Sequence, residues 1–186
     1  MAPVWLIRHA MPTSGWGGED DDPGLEGAGR AQALAAAEAL AALAPTAIVS
    51  SPLRRCLETA QPLADRLGLA VDIDPAVGEI PTPAGLAREA RSPWLRRALA
   101  GRWTEIEGDL DYAAWRAGVR DAVARRPGAA IFSHFVAINA VCSLLAKDDR
   151  VVAVRPDYAS ITTLEAGPDG ALALIESGAE AVTRVL

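Results

Sequence analysis

Short apolar runs alternate with alanine-rich stretches through the first part of the chain. Val4-Trp5-Leu6-Ile7 is a run of four apolar residues followed by Arg8, the length expected of a buried strand. A loop rich in glycine, aspartate and proline follows, from Pro12 to Gly24. Ala28–Leu43 reads as a helix, because alanine is the best helix former, and Pro45 lies just past its end. Thr46–Ser50 reads as a second strand and Leu53–Leu67 as a second helix, which Pro62 either kinks or splits. Gly68 is its stop, and Val71–Ile73 is a third strand. A β-α-β-α-β order predicts a parallel α/β sheet.

The pattern changes after Val77. From Gly78 to about Gly108 the chain carries prolines, Trp94, Trp103 and the arginines 88, 91, 96, 97 and 102. This stretch reads as a helical insertion over one end of the sheet. Asp111 is placed to cap a helix from Tyr112 to Arg126, ended by Pro127-Gly128. A strand at Ala130–Ser133, a helix at Val136–Ala146 and a hairpin of Ser160–Glu165 with Ala171–Glu176 complete the reading. The expected fold is a three-layer α/β/α sandwich, with a mainly parallel central sheet and a small helical lid. One domain over residues 1–186 is expected, with the lid at about 78–110.

Composition narrows the function classes. The chain has 186 residues, 51% of them hydrophobic, and a formal net charge of −6. An acidic balance argues against nucleic acid as a partner, because no bulk positive field is present to neutralise phosphates. The apolar runs are too short for a membrane span or a signal sequence. Two cysteines, Cys56 and Cys142, read as reduced core residues of a cytoplasmic protein. Two histidines and two distant cysteines make no zinc spacing, so neither metal nor cofactor is expected. Lys147 is the only lysine, so a bound anion would meet guanidinium groups.

Those histidines occupy equivalent places. His9 follows the first strand and His134 follows the strand at Ala130–Ser133. Ligands of open α/β sheets bind beyond the carboxyl ends of the strands, so both rings are expected in one crevice. Ser50-Ser51-Pro52-Leu53-Arg54-Arg55 likewise leaves a strand and enters a helix. Free N–H groups at a helix start attract anions, and arginine adds a bidentate fork suited to phosphate. Two arginines, a neutral histidine nucleophile and a second histidine as donor suffice for phosphoryl transfer.

At these residues the chain resembles the histidine phosphatase superfamily, which has the phosphoglycerate-mutase-like fold. Arg8-His9-Ala10 is similar to its Arg-His-Gly signature, with alanine for glycine. Leu25–Ala33, with Gly29 and Gln32-Ala33, resembles the Leu-Thr-x-x-Gly-x-x-Gln-Ala segment, with Glu26 for threonine. Ser50–Ala60 resembles Ser-Ser-Pro-Leu-x-Arg-Ala-x-Gln-Thr-Ala, and Ser133-His134 resembles the late Ser-His pair, with Phe135 in place of the usual glycine. The resemblance implies that His9 is the phosphorylated nucleophile and that Arg8, Arg55 and His134 complete the phosphate pocket. It also implies a carboxyl acid for the leaving group, for which Glu79 is the candidate, ahead of Asp72, Asp74, Glu105 and Glu107.

The expected activity is a metal-independent phosphomonoester phosphatase acting on a small phosphorylated substrate or a phosphoprotein. A phosphoglycerate mutase-type phosphotransferase and a catalytically weak phosphate-recognition module are the alternatives. Met11 and Pro12 stand where polar residues often follow the signature, which weakens the mutase reading. The oligomeric state is open, with a homodimer through an edge strand as one option. The remaining signals have plain readings. Gly24, Gly27 and Gly29 belong to a loop and helix entry, Asp20–Asp22 to a solvated loop, and Trp94, Trp103 and Trp115 to helix packing.

Overall fold

The computed structural model describes residues 1–15 and 20–181. Residues 16–19, within the loop read over Pro12–Gly24, lie outside the described residues. Six strands form one sheet in the order β3-β2-β4-β1-β5-β6. They are β1 (Ala2–Arg8), β2 (Ala47–Ser50), β3 (Val71–Ile73), β4 (Ala129–Ser133), β5 (Ile161–Ala166) and β6 (Leu172–Glu176). The first four in spatial order pair in parallel, and β5 and β6 add an antiparallel edge. This is the mixed, mainly parallel α/β sheet that the sequence predicts.

Alternation along each strand builds the two faces. Val4 and Leu6 of β1, Val49 of β2 and Ile131 of β4 enter one core. Helices α4 (Tyr112–Ala124) and α5 (Phe135–Leu145) cover it. Trp5, Ile7, Ile48, Ala130 and Phe132 enter the other. Helices α1 (Gly27–Ala42) and α2 (Arg54–Leu67) cover that face. Burial of the strands on both faces explains their unbroken apolar runs.

Local chemistry sets the element ends. Pro62 neither ends nor divides α2, which runs continuously to Gly68 in the left-handed region at φ 66°. Asp111 caps α4 as expected, accepting from the Ala114 N–H at 2.9 Å. Gly29 allows α1 to lie against the chain just after β1, since a Cβ there would sit 2.1 Å from the Met11 carbonyl oxygen.

The insertion contains one helix, α3 (Arg88–Ala100), and a single 3₁₀ turn at Trp103–Glu105. Trp94 and Trp103 are buried in the core beneath α4 and α5, with Trp115 packed against it. They are helix-packing residues. The 15-residue connection between α5 and β5 is pinned by Asn139, whose Oδ1 accepts from the N–H groups of Ala153 and Val154 at 2.8 and 2.9 Å. Among the described residues, no helix is long and apolar enough to cross a membrane.

Candidate active site

Strand register brings the sequence candidates to one place. Arg8 of β1 lies opposite Ser133 of β4, and Ser50 of β2 lies opposite Phe132. His9, His134 and Ser51 therefore leave the sheet side by side. The His9 N–H donates to the Ser133 carbonyl at 2.9 Å, and the Ser51 N–H donates to the Phe132 carbonyl at 3.0 Å. A cleft of about 620 Å³ opens above them, lined at its floor by Arg8, His9, Arg55 and Glu79.

His9 is buried, with its ring centroid 5.3 Å from that of His134. Its Nδ1 lies 2.9 Å from the Ala10 carbonyl oxygen. A carbonyl only accepts, so Nδ1 carries the proton and Nε2 keeps its lone pair. Nε2 has no hydrogen-bond partner among the described residues. Burial, and then the Arg55 charge, hold His9 well below the usual histidine pKa, so the ring is neutral near pH 7.

His134 is fully buried, and its tautomer follows from its neighbours. Arg55 Nη2 lies 3.2 Å from Nδ1, and a guanidinium only donates. Nδ1 is therefore the acceptor, and Nε2–H donates to Ser51 Oγ at 2.8 Å. Desolvation, followed by the charge of Arg55, lowers its pKa as well.

Glu79 reaches the same point. Its Oε2 is 3.4 Å from His134 Nδ1 and 3.6 Å from Arg55 Nη2. A 3₁₀ turn at Pro75–Val77, capped by Asp74, carries the chain from β3 to Glu79, and Ser133 Oγ ties the turn to β4 by donating to the Val77 carbonyl at 2.7 Å. Burial raises the Glu79 pKa, while Arg55 and the Ile80 N–H oppose the rise. Asp72 and Asp74 pair with Arg126 instead, and Glu105 and Glu107 line a separate small cavity.

Arg8 and Arg55 are both nearly inaccessible. The Arg8 guanidinium lies 3.9 Å from the Tyr158 ring centroid and 5.2 Å from that of Phe135, and Nη1 donates to the Pro156 carbonyl at 3.0 Å. Stacking of this kind holds a fork in one orientation. Burial depresses the Arg8 pKa from its usual value, opposed first by Tyr158. Phe135 is at once a buried residue and part of the cleft wall. The neighbouring Arg54 points away from the site and pairs with Glu58 at 2.7 Å.

Several contributions are invisible in a residue-by-residue reading. Ser51 orients His134, and Thr59 accepts from the Ala10 N–H at 3.0 Å while donating to the Arg55 carbonyl. Tyr158 belongs to no helix or strand. Its signal lies in topology: Ala159 and Ser160 bond to the end of β1, so whatever precedes β5 must lie beside Arg8. The aspartate loop does more than face solvent. Asp22 accepts from the Arg54 N–H at the start of α2, and Asp21 binds both Arg88 and Arg91 of α3.

Comparison with known proteins places this geometry. The family model described as "Histidine phosphatase superfamily (branch 1)" matches residues 4–175. A glucosyl-3-phosphoglycerate phosphatase of Mycolicibacterium vanbaalenii is 53% identical over 77 residues, 40% of this chain and 34% of that protein. The chain thus spans about a third of the length of that curated relative. An uncharacterized protein of Mycobacterium tuberculosis is 37% identical over 120 residues, 58% of this chain and 59% of that protein. Among solved structures, a mycobacterial glucosyl-3-phosphoglycerate phosphatase in complex with VO3 superposes with a TM-score of 0.74 at 27% identity, covering 97% of this chain and 100% of that chain. A phosphoserine phosphatase from Entamoeba histolytica, 20% identical with a TM-score of 0.72, covers 96% of this chain and 98% of that one and shares the fold.

Proposed function

Since the chain belongs to the histidine phosphatase superfamily, we propose that it is a metal-independent phosphomonoester phosphatase that works through a phosphohistidine on His9. The observation that carries this reading is the Nδ1 bond from His9 to the Ala10 carbonyl, which leaves Nε2 free in a cleft lined by two buried arginines. Similarity to glucosyl-3-phosphoglycerate phosphatases supports a phosphoric monoester hydrolase.

The chemistry runs in two displacements. His9 Nε2 attacks phosphorus in line, and the bond from phosphorus to the ester oxygen breaks. Arg8 and Arg55 balance the charge on the phosphoryl oxygens, and neutral His134 orients the Arg55 fork by accepting from it at Nδ1. The departing oxygen takes its proton from neutral Glu79. Glu79, now a carboxylate, removes a proton from water. The resulting attack on phosphorus breaks the N–P bond, releases phosphate and restores both residues.

The test is phosphate release from p-nitrophenyl phosphate in chelator, comparing the wild type with His9→Ala. Turnover by wild type, reduced about 10³-fold or more in the variant, is expected. Equal turnover by the two proteins would overturn the assignment of His9. A mutase would release little net phosphate and require a bisphosphate primer.

A further inference from the structure

The floor of the cleft accounts for the phosphoryl group, and its walls remain to be assigned. One wall is apolar. Leu95 and Leu99 stand four residues apart on α3, and Ile80, Pro81, Phe135 and Val136 line the same cleft. The rest of the described lining mixes Pro12, Pro23 and Leu53 with polar side chains, and its one cation is ion-paired. Ser14 and Thr82 are neutral hydroxyls, and Asp20 and Asp21 are acids. Ser14 Oγ is buried and has no partner among the described residues. Arg91 is the one cation among the described lining residues outside the phosphoryl floor. Its Nη1 is held by Asp21 at 3.1 Å, and the same carboxylate binds Arg88 at 2.7 Å.

Charge and shape thus point one way. A carboxylate on the leaving group would meet two aspartates and an arginine whose Nη1 is held by Asp21, with its buried Nε left over among the described residues. An uncharged alcohol would bury carbon against the leucines and leave a hydroxyl for Ser14. Resting on the phosphatase reading above, we propose that the preferred substrates are monoesters of uncharged alcohols with one apolar face, rather than phosphorylated acids. The lid selects against a second anionic group through Asp21, which occupies Arg91. This specificity differs from the one printed in the names of the glucosyl-3-phosphoglycerate phosphatases that the chain resembles.

The experiment separates binding from turnover. Phenyl-, 2-naphthyl- and 4-carboxyphenylphosphonate, which are not hydrolysed, are titrated calorimetrically into wild type, Leu99→Ser and Asp21→Asn. The corresponding phosphate esters are assayed in parallel with wild type and His9→Ala. For the wild type, the naphthyl compound is expected to bind about tenfold tighter than the phenyl compound, since each buried methylene equivalent contributes up to about fourfold. The carboxylated compound is expected to bind about fivefold more weakly at low salt, a gap that narrows as salt rises. Leu99→Ser should remove most of the naphthyl preference. Asp21→Asn should free Arg91 and remove the penalty on the carboxylate. Equal or tighter binding of the carboxylated compound to wild type, or no naphthyl preference, overturns the proposal. Predicted phosphonate binding without His9-dependent turnover of any ester overturns the phosphatase reading and leaves the selectivity of the cleft in place.

Discussion

At the floor of the cleft, Arg55 is 5% exposed and meets His134 and Glu79 within 3.6 Å. At its mouth, Arg88 and Arg91 share Asp21 through side chains that are 35 to 61% exposed. The two regions use the same chemical pair, guanidinium and carboxylate, in different solvents. At the floor, burial raises the Glu79 pKa against the opposing charge of Arg55, and Arg55 fixes the proton on His134. In water, such pairs contribute at most about 1 kcal/mol. The floor hangs from strand ends that the sheet fixes, whereas the mouth hangs from an inserted helix and a loop. Chemistry is therefore constrained by the whole fold, and selectivity rests on elements that change at little cost to it.

The sharpest challenge to this contrast is Arg55→Lys. A lysine keeps the charge and loses the fork. If the floor depends on geometry, kcat/KM for phenyl phosphate should fall about 10²-fold or more, because a donor preorganised at the transferring group is lost. A loss below about threefold would show that charge alone suffices.

Glu79→Gln should have the next largest effect, and it should depend on the alcohol. An alkyl ester needs a proton on its leaving oxygen, and kcat should fall about 10²-fold. p-Nitrophenolate leaves without help, so its ester should lose less than about tenfold. The pH profile follows from the directions of the shifts. His9 must be neutral, and its pKa is depressed, so the rising limb of kcat/KM lies below the ordinary histidine range. Glu79 must be protonated, and its pKa is raised, so the falling limb lies above the ordinary carboxylate range. The wild type should show that falling limb for an alkyl phosphate, and Glu79→Gln should lack it.

Arg88→Gln should have the smallest effect. It deletes one exposed partner of Asp21, and Arg88 does not line the cleft. Denaturant unfolding should shift by no more than about 1 kcal/mol. A larger loss would make the mouth as integral to the fold as the floor.

Much of this was legible because the informative residues are local. Four apolar residues before Arg8-His9, and four before Ser133-His134, mark strands whose ends carry the chemistry. Both strands begin a residue or more before the expected first residue, at Ala2 and Ala129, because their first residues are not distinguished by hydropathy. Pro62 could not be resolved from sequence. Its cost to a helix competes with burial of Thr59, Ala60, Leu63 and Ala64 around it, and burial prevails. Tyr158, Ser51 and Asp21 escaped because each acts on a partner 67 to 150 positions away. Tyr158 stacks on Arg8, Ser51 receives the His134 proton, and Asp21 reaches α3. Periodicity carries no information at such separations. Pairing of β5 against β1 does, and it would have directed attention to Tyr158.

The bond from His9 to Ala10 has a consequence for how this site tolerates change over generations. Its acceptor is a main-chain oxygen, present whatever side chain the codon specifies. No missense change at residue 10 can delete it, and the alanine found there keeps the nucleophile's tautomer intact. What substitution can alter is volume: Ala10 is wholly enclosed beside Leu25 and Ala33, so drift at this position is bounded by space, and the proton arrangement of the nucleophile is heritable independently of it.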